Sequence, residues 1–421
     1  MKKLEAFIKE GVSAYNCVEY AAKDLEKQGF EELRYANEWH LNAGGRYYIK
    51  HYGASLFAFT IGKKKGRLRM AGAHTDAPCL SIKPNADFVT KGYAQVNVEV
   101  YGGPILNTWF DRPLGVAGRV VLKSKDVFQP KMVVYRSKKP LLILPNLAIH
   151  MNRDVNKGVE IKNQTDLMLI AGLLEEEGQD TAYFMDCIAK DLKVNKDEIL
   201  DFELTTFIWE EAMYVGPREE LYSAPRLDNQ TSVAALVEAI EEAVCEEGMN
   251  IIGLYDHEEI GSRSKQGAGT HFTYELILRI LENVGYSMDE IRRYLYNMML
   301  LSVDVAHALH PNNIGKMDIT TQPVLGKGVC VKQACSQSYA TDAEAIAIFI
   351  GLCEKNKIAY QRFVNRSDVR GGGTIGAILS SLLPVKTVDL GIPLLAMHSA
   401  RELMGSKDQQ ELTKVVTCFF E

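Results

Sequence analysis

The sequence predicts an α/β protein, a three-layer α/β domain interrupted by an inserted β-rich domain. Three observations carry this. From Asn229 onward helical and strand patterns alternate; residues 88–221 read instead as successive strands; and the α/β pattern of the first 87 residues resumes only near Asp228. The expected blocks are 1–87 and 222–421 for the split α/β domain and 88–221 for the insertion.

The chain opens MKKLEAFIKEGVSAY, where charges fall at helical spacing among Leu4, Phe7 and Ile8, the pattern of an amphipathic helix and not of a leader peptide. A strand at Arg67–Ala73 runs into the loop HTDAP. In the middle block AQVNVEVYG alternates on Val96, Val98 and Val100, and GVAGRVVLK, MVVYRS and LLILP follow as strands, with one helix near Thr181–Val194. The last block gives a helix at 230–246, a strand at Asn250–Leu254, and helices at Tyr274–Glu282 and Met288–Tyr296. A strand at Met298–Val303, helices at Asp342–Cys353 and Thr374–Leu382, a strand at Val385–Leu390 and a terminal helix complete it.

With 421 residues, 47% hydrophobic and 24% charged, and 33 Gly against 13 Pro, the composition excludes disorder and fibrous repeats. The net charge of -6 supplies no excess of cations for nucleic acid or an anionic membrane, so the expected partner is a small molecule or peptide. No apolar run reaches the roughly 18 residues that span a bilayer. The eight cysteines form no C-x-x-C pair, and reduced thiols in a cytoplasmic protein are expected.

Five segments set His, Asp or Glu directly after strand-like runs: RMAGAHTDAP, APRLDNQTS, IIGLYDHEEIGS, MMLLSVDVAHALHP and LGIPLLAMHSARE. Ligands of open α/β sheets bind beyond the carboxyl ends of the strands, which makes His74, Asp76, Asp228, Glu258, Glu259, Asp304 and His398 the candidates. Two cations about 3.5 to 4 Å apart need a bridging carboxylate and further imidazole and carboxylate ligands, and this inventory contains them. Because Glu258 and Glu259 are adjacent, one can bind metal while the other takes a proton from water. A competing reading starts from GGGTIG at Gly371–Gly376, which satisfies G-x-G-x-x-G with Asp389 downstream and would make the chain an NAD-dependent oxidoreductase. The same glycines could let backbone N–H groups approach a substrate carboxylate or carbonyl.

WHLNAGGRYYIKHYGASLFAFTIG, AGAHTDAPCLSIKP, LPNLAIHMNRDVN, RLDN, YDHEEIGS, SVDVAHALHPN, VKQACSQSYAT and DLGIPLLAMHSARE occur in this order, and together they resemble the aspartyl aminopeptidases, dinuclear zinc metallopeptidases. The resemblance implies a three-layer α/β metallopeptidase domain whose β-rich insertion serves as lid and dimerisation domain. It implies that His74 and Asp304 hold one metal, Glu259 and His398 the other, that Asp228 bridges them, that Glu258 is general base and acid, and that Asp76 orients His74. It further implies two divalent ions per subunit, Zn²⁺ with Co²⁺ or Mn²⁺ able to substitute. The substrates would be peptides with a free amino terminus, and the assembly a homo-oligomer of dimers, a dodecamer. Lys332, with Tyr339 nearby, matches the residue that binds an acidic first side chain, and His150 matches one supplied to a neighbour's active site. His307 or His310, beside Asp304, could stabilise an oxyanion. Where the family's animal members carry a polar Asn-Asp-Thr-Pro-type stretch, this chain has SDVRGGG at Ser367–Gly373, which leaves Asp and Glu, or neutral residues such as Leu and Met, as alternative preferences.

Overall fold

Side chains on successive residues of a strand point to opposite faces, and the strand Lys64–His74 uses both. Leu68 and Met70 face one hydrophobic cluster while Ala71 and Ala73 face another. The same split recurs in Glu247–Tyr255, where Met249 and Ile251 lie on the first side and Ile252 and Leu254 on the second. In this computed structural model, which describes residues 1–174 and 182–421, both faces are covered by helices, as a sheet apolar on both sides requires. One side carries Phe272–Asn283, Met288–Tyr296 and Ile375–Leu382. The other carries Lys2–Glu10, Ala14–Lys27, Leu227–Glu242, Ala343–Asn356 and Asp408–Phe420.

Among the described residues the strands make sheets of nine, seven and five strands. At the centre of the nine-stranded sheet Lys64–His74 lies between Glu247–Tyr255 and Met299–Val303, parallel to both, and Met299–Val303 is parallel in turn to Lys386–Gly391. Tyr255 pairs with His74 and Ser302 with Gly72, so these strands end at the same level. Register slips between Glu247 and Met249, where Gly248 has φ +73° and a Cβ would strike the Arg67 carbonyl; only glycine fits there.

The chain divides into two compact units, one of Met1–Asp76, Ala212–Met397 and Glu402–Glu421, the other of Ala77–Glu211 with His398–Arg401. The boundaries expected at 87 and 221 therefore move. Cys79–Thr90 pairs along its length with Tyr93–Tyr101, which places it wholly in the second unit. Met213–Val215 pairs with Leu221–Ala224 and this with Glu402–Gly405, which returns them to the first. His398–Arg401 are drawn to the second unit by bonds from Ile105 N–H to the His398 carbonyl and from Ala400 N–H to Thr108 Oγ1, both 2.9 Å, and by the Arg401–Glu210 ion pair at 3.0 Å.

The second unit is an antiparallel seven-stranded sheet, closed by pairing of Ile199–Ile208 with both Cys79–Thr90 and Pro113–Leu122. Its core includes Trp109, Leu114, Val120, Phe184 and Leu204. LLILP contributes only the short strand Leu142–Ile143. The helix expected near Thr181–Val194 is Tyr183–Leu192; Thr181 lies outside the described residues.

The five-stranded sheet escaped the sequence reading because its strands, Ala306–His307, Met213–Val215, Leu221–Ala224, Pro393–Leu395 and Glu402–Gly405, are two to four residues long, too short for a period to register. It ties Leu221–Ala224, just before Asp228, to Ala306–His307, just after Asp304, through Glu402–Gly405 and Pro393–Leu395.

Candidate metal centre

His74 is the last residue of its strand and is 1% exposed. Its Nδ1 donates to the Asp76 carbonyl at 3.0 Å, since a carbonyl can only accept. That turns Nε2 toward carboxylates, 3.2 Å from Asp228 Oδ1 and 3.7 Å from Asp304 Oδ1. Burial opposes protonation of His74, but Asp228, Asp304 and Asp76 together push its pKa well above the ordinary imidazole value. Asp76, Asp228 and Asp304 are all buried beside it. Several carboxylates gathered out of water demand positive charge.

Asp228 follows Arg226, whose φ of +58° is left-handed, and Asp228 and Asn229 have non-helical dihedrals at the head of their helix. The Asp228 N–H donates to Glu402 Oε2 at 2.9 Å, and Asn229 Nδ2 donates to the Val303 carbonyl at 3.0 Å. Glu402, 2% exposed, was not among the sequence candidates, although it lies four residues beyond His398 in the segment MHSARE. Nothing in the sequence distinguished it from a surface acid.

Glu258 and Glu259 open the short turn Glu258–Ile260, preceded by His257 at φ +63°. Their backbone N–H groups donate to Oδ1 and Oδ2 of Asp76, each at 3.1 Å. Burial raises the pKa of Glu258, with Asp304, Asp76 and Asp228 adding to the rise and His74 opposing it. Ligand atoms of His74, Asp228 and Glu259 all lie within 4.8 Å of one another. An imidazole nitrogen and two carboxylate oxygens at that spacing suit a divalent cation such as zinc, and so the donor set fits the metal that the motifs imply.

His398, at φ +66°, donates from Nδ1 to the Gly103 carbonyl at 3.0 Å inside the second unit, which fixes its ring. Lys332 is turned inward: it is 2% exposed, donates to the Val305 carbonyl at 3.0 Å, lies 3.7 Å from Asp304 Oδ2 and sits 5.1 Å from the centre of the Tyr339 ring. Burial works against its charge, but Asp304 and Tyr339 raise its pKa overall. His307 and His310 line a pocket in the first unit, and His150 is exposed in the second.

The oxidoreductase reading is overturned. Asp389, which it needs for a ribose, is 0% exposed and accepts from Ala340 N–H at 2.6 Å and from the Thr374 hydroxyl. Gly376 serves packing, since a Cβ there would meet Asp389 and Ser302 at 2.6 Å.

A nitrogen and carboxylate cluster beyond the carboxyl ends of parallel strands, in a sheet covered on both faces, defines a metallohydrolase of the α/β class. Residues 7–420 match the family described as aminopeptidase I zinc metalloprotease (M18), and the chain belongs to it. It is a zinc metallo-exopeptidase, a metal-dependent aminopeptidase. A probable M18 family aminopeptidase 2 from Clostridium acetobutylicum is 41% identical, over 100% of this chain and 98% of that protein. A chain in the cryo-EM structure of the Ape4 and Nbr1 complex is 32% identical with a TM-score of 0.92, covering 100% of this chain and 85% of that one. One in the S. cerevisiae mApe1 dodecamer is 27% identical with a TM-score of 0.85, covering 100% and 95%. No helix among the described residues is long and apolar enough to cross a membrane.

Proposed function

We propose that the chain removes single residues, Asp and Glu foremost, from the amino termini of peptides, with two divalent cations per subunit. The observation that supports this most directly is the convergence of His74, Asp228 and Glu259, with Glu258 next in the chain. In this reading His74 and Asp304 hold one cation, Glu259 and His398 the other, and Asp228 reaches both. Bound there, zinc, or Co²⁺ or Mn²⁺ in its place, would polarise the scissile carbonyl and acidify water. Glu258 takes the proton of the attacking water and returns it to the departing amine, work for a carboxyl held beside the candidate ligands by its N–H bond to Asp76. Asp76 fixes the turn that carries Glu258, and Lys332 offsets the charge of Asp304.

The inward turn of Lys332 favours a second reading, a broad-specificity aminopeptidase preferring neutral residues such as Leu and Met. The S. cerevisiae relative, described as a dodecamer, supports a homo-oligomer for this chain, in which the exposed His150 would serve a neighbour's site. A panel of aminoacyl chromogenic substrates, run on protein stripped of metal and reloaded, tests the whole. Turnover must vanish on stripping and return on loading; full turnover by metal-free protein overturns the reading.

A further inference from the structure

We propose that Glu402 is a positioning residue of the metal centre: by accepting the backbone N–H of Asp228, it holds the Asp228 carboxylate where it meets His74 and Glu259. The proposal rests on the reading in which Asp228 reaches both cations, and adds to it a residue that touches neither cation nor substrate.

Asp228 finds no acceptor for its N–H within its own helix. It stands second in Leu227–Glu242, where amides have no carbonyl one turn before them, and its φ of -79° and ψ of 106° are not helical. At 4% exposure the N–H needs a partner. A capping Ser, Thr, Asn or Asp ordinarily supplies one, but the residue at that position is Arg226, whose side chain makes no cap. A guanidinium can only donate, and Arg226 donates to the Ile8 carbonyl at 2.7 Å. The acceptor comes instead from 174 residues along the chain, as Glu402 Oε2 at 2.9 Å.

Glu402 is itself firmly held. It begins Glu402–Gly405, the third of the five strands in its sheet, which pairs with Leu221–Ala224 on one side and Pro393–Leu395 on the other. The register sets Glu402 opposite Ala224, four residues before Asp228. Residues 224–228 therefore form a short loop, closed by the strand ladder at one end and by the Glu402 side chain at the other. Glu402 is 2% exposed, and burying a carboxyl costs stability that an apolar residue in the same sheet would not. The bond to Asp228 gives that burial a use. It fixes the peptide plane before Asp228, so that only two side-chain torsions remain to place the carboxylate. Asn229 Nδ2, on the Val303 carbonyl, anchors the next residue, and Asp228 is gripped from both sides. Its Oδ1 stands 3.2 Å from His74 Nε2, in a cluster whose ligand atoms lie within 4.8 Å. Such sites work only when held to within about 0.5 Å, which a freed peptide plane would not guarantee.

The test compares the parent with E402Q, E402D, E402L and D228N, each stripped of metal. Gln keeps the length and an oxygen for the N–H; Asp keeps the acid but is one methylene short; Leu keeps neither. Calorimetric titration with Zn²⁺ should give E402Q an affinity close to the parent's, and E402D and E402L one about 10- to 100-fold weaker. In the reloaded proteins kcat should fall in the same order with KM little changed. The visible absorption bands of Co²⁺-loaded E402D and E402L should shift from the parent's, while those of E402Q coincide with them. A residue that merely steadies the sheet would lower the Tm of metal-free protein and leave affinity and spectrum alone. Equal affinities and spectra in all the variants at 402 therefore overturn the proposal, whatever their Tm. So does E402D matching the parent while E402Q falls with E402L, which would assign the effect to charge and not to the hydrogen bond. If E402L does not fold, the contrast between E402D and E402Q decides. A parent that binds no Zn²⁺, or D228N that binds it as the parent does, overturns instead the reading of Asp228 as a ligand, and the proposal falls with it.

Discussion

Asp76 and Glu258, 182 residues apart in the chain, are joined by a 3.1 Å hydrogen bond from the Glu258 backbone N–H to Asp76 Oδ1. The other oxygen of the same carboxylate accepts from Glu259 N–H, while the Asp76 carbonyl holds the His74 ring. One aspartate therefore aligns a candidate base and two candidate ligands. Asp76→Asn keeps its carbonyl but can offer only one side-chain acceptor to the turn. Turnover should drop by about 10- to 100-fold with a parallel loss of metal affinity. Unaltered turnover and metal content would remove Asp76 from the site.

Glu258→Gln should cost about 100- to 10,000-fold in kcat, because an amide cannot take a proton at that position, while metal content stays as in the parent. Elemental analysis alongside kinetics separates these effects. A variant that loses metal as well as turnover would mark Glu258 as a ligand.

The buried carboxylates around His74 need a counter-charge, so chelation should lower Tm as well as abolish activity. At a thousand times Kd, a cation that binds only the folded state adds about 4 kcal/mol. Thermal melts across a zinc titration should show Tm rising in the parent and responding far less in Asp228→Asn. Equal responses would place the cation elsewhere.

Lys332→Met removes the buried ammonium 3.7 Å from Asp304. Breaking such a buried pair typically costs about 3 to 5 kcal/mol of stability, so Tm should fall, and any accompanying loss of turnover should be the same on Asp and Leu substrates. A loss seen only with acidic substrates would return specificity to Lys332.

Far from the site, Glu290 bonds to Lys65 and to Ser287 N–H at the start of Met288–Tyr296, and these contacts hold its carboxyl down at about 2. The folded pKa lies below the unfolded one, so this stabilisation is complete above about pH 4.5 and is lost as pH falls through about 2. Metal-free parent should melt above metal-free Glu290→Gln at neutral pH, and the gap should close as pH drops from 4.5. A gap that stays constant down to pH 3 would rule out the ionised carboxylate as its source.

Long periodic segments were legible in the sequence. Met288–Tyr296 forms the helix its spacing predicts, and Asp342 and Thr374, expected as first helical residues, are the caps just outside their helices. The residues at the carboxyl ends of the central strands were legible too, because an apolar run stopping at an acid or histidine marks a strand end. Partners across the chain were not. Alternation tells which face Lys332 occupies but not that Val305 and Asp304 wait there, and Glu402 shows its part only once it pairs with Ala224 and reaches Asp228 N–H. The left-handed backbone at Arg226, His257 and His398 carries no compositional mark, since such positions ordinarily favour glycine or asparagine.

The central strand Lys64–His74 has both its neighbours, Glu247–Tyr255 and Met299–Val303, on the far side of the insertion. During synthesis it emerges with two open edges and a largely apolar end, and neither edge is paired until Glu247–Tyr255 has been made. The insertion needs no such delay, because every strand of its antiparallel sheet lies between Cys79 and Ile208. Ribosomal order thus favours early folding of the inserted unit and exposes the first block to wrong strand partners in the interval, a hazard that slower elongation or a chaperone would offset.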